Sequence, residues 1–151
     1  MLAALAALSA CGAPASNETN AVHEAETPSG PIVRLNPVPG RPAAGYLTLR
    51  IEGDKGALVS VTSPQAGRIE LHETMRDGNM SRMRAIPRIP VRDGERLVFA
   101  PGGRHLMLFD IAPTIEAGGG MTLIFRFERG AEQRLTAEIV PTGGDVDHSG
   151  H

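Results

Sequence analysis

Cysteine is nearly missing from this chain. Among 151 residues only Cys11 is a cysteine, which excludes an internal disulfide and any zinc site built from thiolates. Tryptophan is absent, while 18 glycines and 12 prolines favour short elements joined by tight turns over long packed helices. An excess of one charge is lacking too. With a formal net charge of -2 and acidic and basic residues mixed along the chain, there is no basic stripe for nucleic acid and no polybasic patch for a membrane surface. The length suits one domain with a real hydrophobic core, flanked by tails, and is short for two.

The first residues, MLAALAALSA, form an apolar run too short to span a bilayer. It ends at Cys11, and Leu8, Ser9, Ala10 and Cys11 resemble the lipobox of bacterial lipoproteins. Residues 1–10 are therefore expected to be an export leader and Cys11 a lipidated residue, placing the protein in the periplasm or cell envelope with a lipid anchor as its one membrane contact. The run lacks the Lys or Arg of an ordinary leader, so the signal is abbreviated or its start lies upstream. The alternative, a frayed apolar terminus of a cytosolic chain, would leave a largely apolar run of ten residues exposed. Residues 11–30 are small and polar and read as a tether. Residues 142–151 read as a tail, in which His148 and His151 beside Asp145 and Asp147 offer at most weak capture of Cu(II) or zinc. The folded domain is expected over 31–141.

Within that stretch apolar residues recur with period two. Leu47, Leu49 and Ile51 alternate with Tyr46, Thr48 and Arg50, and Leu135, Ala137 and Ile139 alternate with Arg134, Thr136 and Glu138, the signature of half-buried strands. Similar runs lie at 32–38, 57–62, 68–74, 96–100, 105–111 and 121–128, separated by EGDKG, SPQAG, RDGN, VRDGE, APGG and EAGGG, each with turn chemistry. No window of helical length keeps an i, i+3, i+4, i+7 apolar stripe. The expected fold is all-β, an antiparallel sandwich or barrel of about eight or nine strands.

Two histidines remain once the ends are set aside, His72 and His105, both on expected strands. In RIELH the apolar Ile69 and Leu71 point one way, and Arg68, Glu70 and His72 the other. In HLML the same rule puts His105 and Met107 on one face and Leu106 and Leu108 on the core side. Met83, in the loop after RDGN, is flanked by Arg82 and Arg84, an odd setting for a core methionine, and can be aimed at the same spot. Met75 and Met80 read as packing residues near it, and Met121, alternating with Leu123 and Phe125, as core.

Two imidazoles and two thioethers select one ion. Thioether sulfur is soft and neutral, poor for zinc, calcium or magnesium and well suited to Cu(I). Four neutral donors leave a single positive charge, which is less costly to shield from water than a divalent ion. In an oxidising compartment paired thiolates tend toward disulfide, so methionine is the better choice for a Cu(I) site there.

The spacing itself, His72, ten residues, Met83, twenty-one residues, then His105, Leu106, Met107, resembles the HX10MX21HXM signature of the PCuAC family of copper chaperones. The likeness continues through PAAGYLTLRIEGDKGALVSVTSPQAGRIELHETM and PGGRHLML and spans residues 36–140. It implies a cupredoxin-like β-sandwich, an exposed Cu(I) site at His72, Met83, His105 and Met107, a periplasmic location, and delivery of copper to cytochrome c oxidase subunits, often beside Sco-like assembly proteins. A monomer is expected. Two departures stand out: RIEGDKG where the family commonly has an Asn-containing turn, and Arg104 where it has an uncharged residue, a cation whose effect on the site the sequence leaves open.

Other classes fit less well. A blue-copper electron carrier needs a cysteine ligand, and an enzyme needs further histidines or a placed carboxylate with an open coordination position; the domain is expected not to be an enzyme. A copper store or tolerance protein of the envelope, and a β-sandwich binding module without metal, remain as alternatives.

Overall fold

The computed structural model describes residues 30–141. The leader with Cys11, the tether, and the tail with His148 and His151 lie outside the described residues. Ten strands follow in order: β1 (Ile32–Arg34), β2 (Ala43–Arg50), β3 (Ala57–Thr62), β4 (Ala66–Asp77), β5 (Met80–Ala85), β6 (Ile89–Pro90), β7 (Arg96–Phe99), β8 (Arg104–Ile111), β9 (Gly120–Phe127) and β10 (Glu132–Val140). The described residues contain no helix.

Period-two patterning decides which face of each strand is buried. In β2, Ala43, Gly45, Leu47 and Leu49 are buried and the residues between them are not; in β9, Met121, Leu123, Phe125 and Phe127 are buried. These join Phe99, Leu106, Leu108, Leu97 and Ile139 in one core. Each fully buried Leu, Met or Phe contributes roughly 1.5–3 kcal/mol relative to exposure, so the alternation, repeated over strand after strand, is what drives the chain to close into layers.

The pairing order runs β5-β4-β8-β2-β1-β10-β9-β3-β6, with β7 on β2. The first half of β2 lies between β8 and β1, and its second half, Leu47 to Arg50, pairs with β7. This change of partner along one strand lets the ladders wrap into a sandwich of the cupredoxin kind. Two features differ from the sequence reading. Among the described residues there are ten strands where about eight or nine were expected, and β1 runs parallel to β10, with Ile32 opposite Glu138, so the sheet is mixed. Parallel pairing joins strands distant in sequence, and no local pattern encodes it.

One of the two strands that periodicity misses, with the two-residue β6, is β5. Every residue of MSRMRA in it is exposed, so it has no apolar face to announce it. It forms because a two-residue turn, Gly78-Asn79, sends the chain straight back along β4. Gly78 has φ 58°, the positive value that the first central position of a type II′ hairpin requires.

Candidate metal centre

Strands β4 and β8 pair in strict antiparallel register: Arg68 with Phe109, Glu70 with Met107, His72 with His105. Directly opposed residues share a face, so these six side chains form three rows on one side of the sheet. Ile69 and Leu71 face Leu108 and Leu106 on the other, where both β8 leucines and Leu71 are buried. The imidazoles of His72 and His105 lie with ring centroids 5.9 Å apart and planes inclined by 39°.

Met83 reaches the same face from the neighbouring strand. It pairs with Thr74, two residues beyond His72 on β4. Met83 therefore belongs to β5 and not to a loop, and it is 63% exposed. With His105, Met107, Thr74, Tyr46 and Pro101 it lines a shallow depression. His72 is not on the wall of that depression; it adjoins through its contact with the His105 ring. Among the residues picked from sequence, three are thus gathered at one opening and the fourth lies beside them.

Alternation also separates the other methionines. Met75 pairs with Arg82, and Met80 with Asp77, which puts both on the reverse face of the hairpin from Met83. Expected as packing residues, they are instead exposed, at 47% and 56%, because the hairpin runs past the edge of the core. Met121 is fully buried, as its alternation indicated. Arg104 likewise falls on the reverse face, opposite Glu73, its Nε 4.0 Å from a carboxylate oxygen that shares a residue with the Arg84 ion pair. Its charge is directed away from the imidazoles.

The hydrogen bonds assign the ring nitrogens. His105 Nδ1 is 3.1 Å from the Gly103 carbonyl; a carbonyl only accepts, so Nδ1 carries the proton and Nε2 holds the lone pair. The same carbonyl accepts the Thr74 N–H at 3.0 Å, tying the Ala100–Gly103 turn to β4. His72 Nε2 is 2.9 Å from a Glu70 oxygen, and the other Glu70 oxygen is 2.9 Å from Arg68 Nε. The hydrogen bond to His72 is the main reason the Glu70 carboxyl sits below its ordinary value, against some desolvation that raises it and with help from the Arg68 charge. Glu70 is an acceptor, His72 Nε2 is the donor, and the lone pair of His72 is on Nδ1. That atom is buried and has no hydrogen-bond partner among the described residues.

A buried nitrogen lone pair without a donor is costly, on the order of 1–3 kcal/mol, and a soft cation would satisfy it. The donor set is two imidazole nitrogens and two thioether sulfurs, a combination suited to Cu(I) and poor for hard divalent ions. Glu70 and the Gly103 carbonyl are the parts of the site that sequence reading did not single out. The signal for Glu70 was available in Glu70-Leu71-His72, where i and i+2 on one strand share a face; Gly103 acts through its backbone, which sequence does not mark.

Residues 26–139 match the family described as "Putative lipoprotein LpqE-like". The chain is 24% identical over 120 residues to "Uncharacterized protein RP573" of Rickettsia prowazekii, covering 79% of this chain and 66% of that one. It is 31% identical over 90 residues to "Putative lipoprotein Lxx21020" of Leifsonia xyli subsp. xyli, covering 58% of this chain and 53% of that one. The chain thus spans less than two thirds of the length of either relative. Among solved structures, the apo PmoF2 PCuAC domain superposes with TM-score 0.60 at 21% identity, over 76% of this chain and 88% of that one. The Cu(I) form of DR1885 from Deinococcus radiodurans superposes with TM-score 0.58 at 24% identity, over 84% and 86%. The fold is therefore that of PCuAC domains, and since the family match takes in nearly all the described residues with His72, Met83, His105 and Met107 among them, the chain belongs to the LpqE-like lipoprotein family.

Proposed function

We propose that this protein is a copper metallochaperone of the cell envelope, binding one Cu(I) through His72, Met83, His105 and Met107. The observation that carries the reading is the meeting of two imidazoles, each with a free lone pair, and two thioethers on one face of β4, β5 and β8. The Cu(I) form of DR1885 and the copper-bound PCuAC domain of PmoF2 lend support, because both have this fold. The family description and the LSAC run support export and a lipid anchor at Cys11.

Exposure favours a carrier over a permanent site. His105 and Met107 come from one strand that is locked into the sheet, whereas Met83 is on the outermost strand and is largely exposed. An incoming ligand can displace Met83 first while the β8 pair still holds the ion. Thioethers bind Cu(I) less strongly than thiolates, so an acceptor with two cysteines, such as a cytochrome c oxidase copper subunit or a Sco-like assembly protein, lies downhill.

Anaerobic competition titration with X-ray absorption at the copper edge tests the binding: one Cu(I) per chain with mixed sulfur and nitrogen ligands is expected, and absence of tight uptake refutes it. Transfer is tested by mixing the loaded protein with an apo acceptor, separating the two, and following copper over minutes. Copper that stays, or moves no faster than by free dissociation, makes the protein a store.

A further inference from the structure

The face that bears the two histidines continues along β4 as Arg68 and Glu70, and each contact in that row is made. Arg68 lies over the Phe109 ring, its guanidinium carbon 4.3 Å from the centroid, and its Nε meets Glu70 at 2.9 Å. The second carboxylate oxygen of Glu70 takes the His72 Nε2–H at 2.9 Å. A planar cation stacked on an aromatic ring is held in orientation, and it holds the carboxylate, which in turn fixes the imidazole. His72 is thereby committed to one tautomer, with its lone pair on the buried, unpartnered Nδ1. His105 is committed to the other by Gly103.

We propose that Glu70, backed by Arg68, is a positioning residue for the metal centre, and that His72 binds the ion through Nδ1 while His105 binds it through Nε2. The proposal rests on the Cu(I) reading given above. Its physical content is that an imidazole donating its second N–H to a carboxylate is held in one orientation and one tautomer, the effect by which outer partners position metal ligands. Glu70 also brings a negative charge beside a centre whose four ligands are neutral, and Arg68 keeps that charge from becoming a ligand itself by engaging the remaining oxygen.

The tautomers are read on the full chain without metal, by long-range proton–nitrogen correlation of the histidine rings at neutral pH, with His72→Asn and His105→Asn for assignment. The expected result is the Nε2–H form at His72 and the Nδ1–H form at His105. On adding Cu(I), the nitrogen signals that shift are His72 Nδ1 and His105 Nε2. Glu70→Ala is expected to mix the His72 tautomers and to weaken Cu(I) binding by about 10- to 100-fold. Glu70→Gln keeps an acceptor oxygen and is expected to retain the tautomer and most of the affinity. An Nδ1–H form at His72 in the apo chain, a Glu70→Ala variant that binds Cu(I) like the unaltered chain, or a Glu70→Gln variant as weak as Glu70→Ala each overturns the positioning role. A chain with the expected tautomers that takes up no Cu(I) overturns the copper reading itself, so the two failures are told apart by the metal-free spectrum.

Discussion

His72 and His105 are directly opposed across the β4–β8 ladder, their ring centroids 5.9 Å apart. The register that opposes them also opposes Leu71 to Leu106 on the buried side. A slip of one residue would exchange the two faces of a strand, turning a histidine toward the apolar core and a leucine away from it. The core therefore sets the geometry of the centre.

The thioethers can be tested one by one. Met83→Leu and Met107→Leu are each expected to weaken Cu(I) binding on the order of tenfold, about 1.4 kcal/mol, because Leu keeps the volume and loses the sulfur. Met83 is exposed, so its replacement should change unfolding free energy by less than about 0.5 kcal/mol. Met75→Leu and Met80→Leu, on the reverse face, should leave the affinity unchanged. Competition with a chromophoric Cu(I) chelator and urea denaturation read the two quantities; a loss at Met75 or Met80 equal to that at Met83 would show the face assignment to be wrong.

Arg104 sits next to His105 in sequence but faces Glu73 across the ladder. Arg104→Gln is expected to change Cu(I) affinity by less than about twofold, since a paired charge directed to solvent is largely screened. A tenfold gain in the same chelator competition would mean that the cation does act on the ion.

Gly67 lies against the side chain of Asp110, a non-glycine residue at φ 53°. A Cβ at Gly67 would come within 2.9 Å of the Asp110 Cβ, closer than two carbons pack. Gly67→Ala should destabilise the fold by about 1–3 kcal/mol, as overpacking does, lowering the urea midpoint with little change of slope. An unaltered midpoint would mean that β4 and β8 are looser here than they look.

Glu132 accepts hydrogen bonds from Arg126 and Arg134, in that order the main causes holding its carboxyl below the ordinary value of 4.5. A carboxyl with a lower pKa when folded than when unfolded contributes stability above its unfolded value and loses it as pH falls through the folded one. The unaltered chain should thus lose more stability than Glu132→Gln on acidification below about pH 4.5. The difference is small because all three groups are exposed. Equal acid sensitivity in denaturant titrations at neutral and acid pH would show the contact to be energetically silent.

Much of the fold is legible in the sequence. Turn residues and period-two runs located eight of the ten strands among the described residues, and the spacing of His72, Met83, His105 and Met107 supplied the candidate centre proposed above. What failed did so for definable reasons. Strand β5 has no buried face and so no periodicity; β6 is two residues long. The pairing of β1 with β10 joins residues about a hundred positions apart, and pairing at that range leaves no local trace.

The sequence by itself determined the donor chemistry of the proposed centre, because softness belongs to the residue type and the face of each strand residue follows from its parity. Only the tertiary structure decided which nitrogen of each histidine is free. That depends on a carboxylate two residues from His72 and on a backbone carbonyl two residues from His105. It also decided that Met83, and not Met75 or Met80, shares their face, since the hairpin register at Gly78-Asn79 sets the parity of β5 against β4. Parity within a strand is local, but parity between strands is a property of register, and register is fixed by the core that both strands help to bury.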